Sequence, residues 1–120
     1  MPPEEQLRLV AETFRMLADR TRIGILWALT GGEHSVTELA AAVGRPAAAT
    51  SQHLQKLRLS GLVATRREGT TVYYSCVSEH VARLVTDAVH NAEHREPGLP
   101  AHHRADPGPA TLPTAAEGAR

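Results

Sequence analysis

The chain has 120 residues, 13 basic and 13 acidic side chains and 42% hydrophobic residues, including one Phe, one Trp and two Tyr. One domain is expected at that length, with a core of Leu, Val, Ala and Ile small enough to favour association with a second copy. The single Cys76 excludes an intrachain disulfide framework and a Cys-rich zinc site; the acid-bearing start MPPEEQLRLV is unlike a signal peptide, and no run approaches the ~20 apolar residues that span a bilayer, so a cytosolic protein without a membrane partner is expected.

Along residues 4–18, Leu7, Val10, Phe14 and Leu17 recur at helical spacing, with Glu4 and Glu5 in the favourable first turn. Asp19 is a suitable N-cap for a second helix from Arg20 to Leu29 that would bury Ile23, Leu26 and Trp27, before Gly31-Gly32 stops it. Ser35 or Thr37 begins a short helix ending at Val43, with Gly44 in the position where a left-handed residue closes a helix. Pro46 suits the first turn of the next helix, which runs to about Ser60 with Leu54, Leu57 and Leu59 inward.

The period then changes. Residues 62–66 and 71–74 are β-prone runs joined by Arg67-Glu68-Gly69-Thr70, a hairpin signal. A helical stripe resumes at Val77, Val81, Leu84, Val85, Ala88 and Ala92, and Pro-Gly-Leu-Pro ends it after Glu96. Residues 4–96 are therefore expected to form the folded domain, residues 97–103 a short His-bearing segment, and residues 104–120 an Ala/Pro/Gly/Thr-rich disordered tail. The expected fold is mainly α with a small β-hairpin, in the order α-α-α-α-β-β-α.

A short helix, a glycine turn, a longer helix and an arginine-bearing hairpin form the layout of a winged helix-turn-helix. In that motif the start of the second helix meets base edges in the major groove of double-stranded DNA. Here Ala48 permits close approach, while Thr50, Ser51, Gln52 and Gln55 offer hydrogen bonds, glutamine being suited to adenine. Arg45, Lys56, Arg66 and Arg67 would neutralise phosphates. Net charge gives no argument for nucleic acid, but its distribution does: between Arg45 and Arg67 lie five Lys/Arg and no Asp or Glu.

FRMLADRTRIGILWAL, SVTELAAAVG, SQHLQKLRLSGLV and REGTTVYYS together resemble the ArsR/SmtB family of metal-responsive winged-helix repressors, over roughly residues 8–94. The resemblance implies a homodimer, joined through its first and last helices, that represses when metal-free and leaves an imperfectly palindromic operator on binding metal. DAVHNAEH and GLPAHHRA look most like the family's nickel- and cobalt-sensing members.

Some members bind soft metals through cysteines ahead of the recognition helix; EHSVTELAA has none, which disfavours arsenic, lead and cadmium. The last helix remains. His80 and His94 are fourteen residues apart, ~21 Å along one helix at ~1.5 Å per residue. They cannot share an ion within one protomer, whereas antiparallel copies packed ~8–10 Å apart through Val81, Leu84, Val85 and Ala88 bring His80 toward the other copy's Glu93 and His94. On a helical wheel Glu93 lies off the flank shared by His80, Asp87, Asn91 and His94, so it is the resemblance that keeps it in the ligand set. Relatives often carry an Asp and a further His where this chain has Ser78 and Asn91, leaving the usual four-ligand zinc set incomplete. His102 and His103 can supply the deficit, giving His80, Glu93, His94, His102 and His103. Up to five nitrogen and oxygen donors suit Ni(II) or Co(II), with Zn(II) as the alternative. A winged-helix repressor sensing zinc or a non-metal signal, and a small metal-buffering protein, stay open beside this; an enzyme does not, because no nucleophile–base pair or phosphate loop is present.

Overall fold

A computed structural model describes residues 1–96. The segment carrying His102 and His103, and the tail after it, lie outside the described residues.

Among the described residues, five helices and three strands follow one another as α1 (Glu4–Leu17), α2 (Arg20–Leu29), β1 (His34–Ser35), α3 (Val36–Val43), α4 (Ala47–Leu59), β2 (Val63–Glu68), β3 (Thr71–Cys76) and α5 (Glu79–Arg95). Local chemistry sets most boundaries. The Asp19 carboxylate accepts from Arg22 N at 3.0 Å and starts α2. Ser35 and Glu38 form a reciprocal capping box at the start of α3. Gly44 then closes α3 with φ 65°, a conformation that costs glycine little.

The core sits between α2, α3, α4 and the base of the hairpin. Ile25, Leu26, Leu39, Leu54 and Leu57 are fully buried, joined by Ala28, Leu29, Leu62, Val63 and Val85. Within α2 the deepest side chains are thus Ile25, Leu26, Ala28 and Leu29, while Ile23 and Trp27 are half-buried. Leu59, expected inward, is 74% exposed: it lies on the opposite face of α4 from Leu54 and Leu57.

The sheet has one strand more than the sequence indicates. His34–Ser35 pairs antiparallel with β3, giving the order β1-β3-β2. The hairpin strands also run longer than expected, because Glu68 pairs with Thr71 and leaves only Gly69-Thr70 as the loop. Gly69 has φ 63° and no non-glycine residue among those described has positive φ, the pattern of a two-residue turn with glycine first.

Two helices flank this core differently. α5 inserts Val85 against α2 and half-buries Val81 and Leu84. α1 buries no residue: Leu7, Leu9, Val10 and Phe14 are 38–54% exposed along its length.

Candidate DNA interface and sensor helix

Burial divides α4 into two faces. Thr50, Leu54 and Leu57 point into the core at helical spacing. Ala48, Ser51, Gln52 and Gln55 lie exposed on the opposite face, with Lys56 on its flank and Arg45 exposed just before the helix. Thr50 drops out of the residues expected to meet DNA. It is fully buried, and its hydroxyl donates to the Pro46 carbonyl at 3.0 Å, so it holds the helix start together and does not face outward. α2, α3 and α5 begin under side-chain caps, whereas α4 at Pro46, like α1 at Pro3, begins with none. Its first-turn amides therefore lack a side-chain acceptor and suit a phosphate oxygen.

On the wing, the two arginines differ. Arg66 faces Tyr73 across the hairpin and stacks on its ring at 4.9 Å. Its guanidinium donates to Glu33 at 2.9 and 3.1 Å and to Glu68 at 2.7 Å. Both carboxylates hold it firmly protonated, and in return Arg66 keeps the Glu33 carboxyl below the usual carboxylate range. The acid-free window of the sequence is thus partly compensated in space by acids just outside it. Arg67, on the other face of β2 opposite Val72, is exposed and has no ion pair among the described residues.

Along α5, His80 and His94 are exposed and Glu93 half-exposed, and none of their side chains has a hydrogen bond or ion pair among the described residues. Imidazole nitrogen and carboxylate oxygen form a donor set that fits nickel, cobalt or zinc. No three His, Cys, Asp or Glu side chains converge to hold a metal among the described residues, as the ~21 Å rise between His80 and His94 requires. Ser78 is the N-cap of α5 and accepts from Val81 N at 3.4 Å. The expected seam residues divide: Val85 is 2% exposed and belongs to the protomer's own core, Val81 packs partly against that core, Leu84 is half-buried and Ala88 exposed. Inward-facing Val85 therefore drops out of the seam. Burial pushes the Cys76 thiol up to about 11, and its sulfur rests against the Leu26 carbonyl. A thiol so placed is neutral near pH 7 and a poor metal donor.

Sequence reasoning missed Glu33 and the pairing of Arg22 with His53. Arg22 Nη1 lies 3.3 Å from His53 Nδ1, and Arg22 Nε donates to the Met16 carbonyl at 2.7 Å. No local periodicity reports contacts across thirty-odd residues, although Asp19 and Pro46 do mark where the two helices begin.

A helix-turn-helix domain model matches residues 17–66, which covers α2 through the middle of β2. The chain is 58% identical over 106 residues to the transcriptional regulator KmtR of Mycobacterium tuberculosis, covering 88% of this chain and 82% of that protein. It is 40% identical over 94 residues to the transcriptional regulator NmtR of the same organism, covering 78% of each. Among solved structures it resembles the homodimeric winged helix-turn-helix DNA-binding domain of a possible ArsR-family regulator from Mycobacterium bovis. There the TM-score is 0.70 at 38% identity, covering 76% of this chain and 84% of that one.

Proposed function

The chain belongs to the ArsR/SmtB family of winged helix-turn-helix transcriptional regulators, and from that premise we propose that it is a homodimeric repressor that binds operator DNA when metal-free and releases it on binding Ni(II) or Co(II). The observation that carries this is the state of two helices: the His80, Glu93 and His94 side chains are uncommitted on α5, and α1 leaves Leu7, Val10 and Phe14 uncovered. A second copy seated on α1, Leu84 and Ala88 would cover that apolar surface.

In this protein DNA would be met by Ala48, Ser51, Gln52 and Gln55 on α4, by Arg45 and Lys56 beside it, and by Arg67 on the wing, with Arg66 shaping the wing through Glu33. An imperfect palindrome with half-sites one helical turn apart, ~34 Å, suits two copies of α4 related by two-fold symmetry. The inducer would be held by His80, Glu93 and His94, with His102 and His103 from the segment after α5. Bound there, it would supply a compact positive charge to those nitrogen and oxygen donors. Release then follows from a coupling free energy of typically ~1–3 kcal/mol, reciprocal between inducer and DNA.

Fluorescence anisotropy of the dimer on its own upstream DNA, titrated with and without nickel, cobalt and zinc, tests the proposal. Specific binding reversed by nickel or cobalt is expected. Equal affinity for a charge-matched control duplex would remove the repressor, and release by zinc alone would make zinc the inducer. Tight metal uptake without operator affinity would indicate a metal-buffering protein.

A further inference from the structure

Arg22 sits at the corner where α1 ends and α2 begins, with its side chain only 13% exposed. Its backbone N–H donates to the Asp19 carboxylate, its Nε donates to the Met16 carbonyl at the end of α1, and its Nη1 reaches His53 on α4 at 3.3 Å. An arginine can only donate, so His53 Nδ1 must be the acceptor and the ring proton must sit on Nε2. One planar guanidinium thus spans two helices that are far apart in sequence, and the geometry is set by its fork. His53 lies at the edge of the exposed α4 face, one residue after Gln52 and two after Ser51.

We propose that Arg22 and His53 are a positioning pair that fixes the rotation of the recognition helix relative to the α1–α2 corner, and so sets where Ser51 and Gln52 meet base edges. This rests on the DNA-binding reading and deepens it. Base-edge hydrogen bonds need placement to fractions of an ångström, whereas phosphate attraction does not. The pair therefore governs sequence discrimination more than overall affinity for DNA. Because α1 is also the helix with an uncovered apolar face, the pair joins that face to the recognition helix through the Met16 carbonyl.

Four variants separate the roles. His53→Asn keeps an acceptor near the Nδ1 position and His53→Leu removes it; Arg22→Lys keeps the charge but loses the fork, and Arg22→Gln loses the charge. Each would be titrated by anisotropy on the upstream duplex and on a scrambled duplex of equal length, with hydrogen exchange of the α4 amides measured on the free dimer. The expected result is roughly tenfold weaker binding to the upstream duplex for His53→Leu and Arg22→Lys, the scale of removing one charge-assisted hydrogen bond. Binding to the scrambled duplex stays unchanged, α4 amides exchange faster, and His53→Asn behaves as the unsubstituted protein in all three.

His53→Leu with unchanged discrimination and unchanged exchange would overturn the proposal, as would His53→Asn failing as badly as His53→Leu. Should the arginine variants fail to fold, the two histidine variants decide. If the unsubstituted protein does not distinguish the duplexes, the DNA-binding reading fails separately, and exchange in α4 still decides whether the pair positions the helix.

Discussion

The recognition helix α4 and the last helix α5 both present polar side chains on an exposed face, but they are held in different ways. α4 is pinned by Leu54 and Leu57 in the core, by the Thr50 hydroxyl on Pro46, and by His53 against Arg22. Its outward face is fixed within one protomer. α5 commits Val85 to the core, while His80, Glu93 and His94 have no partners among the described residues and Ala88 stays exposed. DNA reading calls for a rigid display made in advance; an inducible site gains from donors that are brought together only when the inducer arrives. The contrast implies that substitutions in the first region cost stability, whereas those in the second cost response.

The largest effect tests the first half of that contrast. Leu54→Ala empties a fully buried position beneath the recognition helix and should destabilise the protein by about 2–5 kcal/mol, a large part of the ~5–15 kcal/mol that holds a domain folded. Urea unfolding at fixed protein concentration measures it. A loss below ~1 kcal/mol would mean that α4 is not anchored there.

His80→Ala tests the second half. The side chain is exposed and without a partner among the described residues, so unfolding midpoint and metal-free operator affinity should stay within error. Inducer-driven release should disappear, removing a coupling of roughly 5–150-fold in affinity and producing constitutive repression in cells. Normal metal-induced release from this variant would take His80 out of the site.

Much of the first region can be read from sequence because its determinants are local. Asp19 before α2 and Gly44 after Val43 act within one helical turn and appear where expected, and of the two starts open for α3, Ser35 and Thr37, it is Ser35 that caps the helix, together with Glu38. Failures come where the deciding contact is distant or too short to have a period. Thr50 resembles a DNA-facing hydroxyl until the packing of Leu54 and Leu57 turns it inward. Arg66 resembles a free cation until the β1 loop brings Glu33 to it, thirty-three positions away. His34–Ser35 is a two-residue strand, visible only through its pairing with Tyr73 and Tyr74. On α5 the apolar stripe is legible, but not which of its members face the protomer's own core: Val85 does, Ala88 does not.

The wing sharpens the contrast at a smaller scale. Arg67→Gln should lower the slope of log affinity against log salt by about 1 per wing and weaken binding to all sequences alike, as expected when one phosphate is no longer neutralised. Arg66→Gln should leave that slope nearly unchanged, since its charge is already balanced by Glu33 and Glu68. Affinity titrations across a salt series separate the two. An equal fall in slope for both variants would mean that Arg66 leaves its carboxylates when DNA is present.

The smallest expected effect concerns the corner that holds Arg22. The Asp19 carboxyl is held below the usual range, first by the hydrogen bond from Arg22 N, which outweighs the opposing effect of burial, and to a lesser degree by the nearby Arg22 charge. A folded-state pKa below the unfolded one contributes stability that is present in full above the unfolded value, ~3.9, and is lost as pH falls through the folded value. Asp19→Ala should therefore cost about 1 kcal/mol at pH 7, the worth of a helix cap, with the difference from the unsubstituted protein shrinking below about pH 4. Asp19→Asn retains a capping oxygen and should recover most of the loss at neutral pH. Thermal melts of the three proteins between pH 7 and pH 3 measure this. If the Asp19→Ala difference held constant to pH 3, Asp19 would act at this corner only as a hydrogen-bond acceptor for Arg22 N and its charge would contribute nothing.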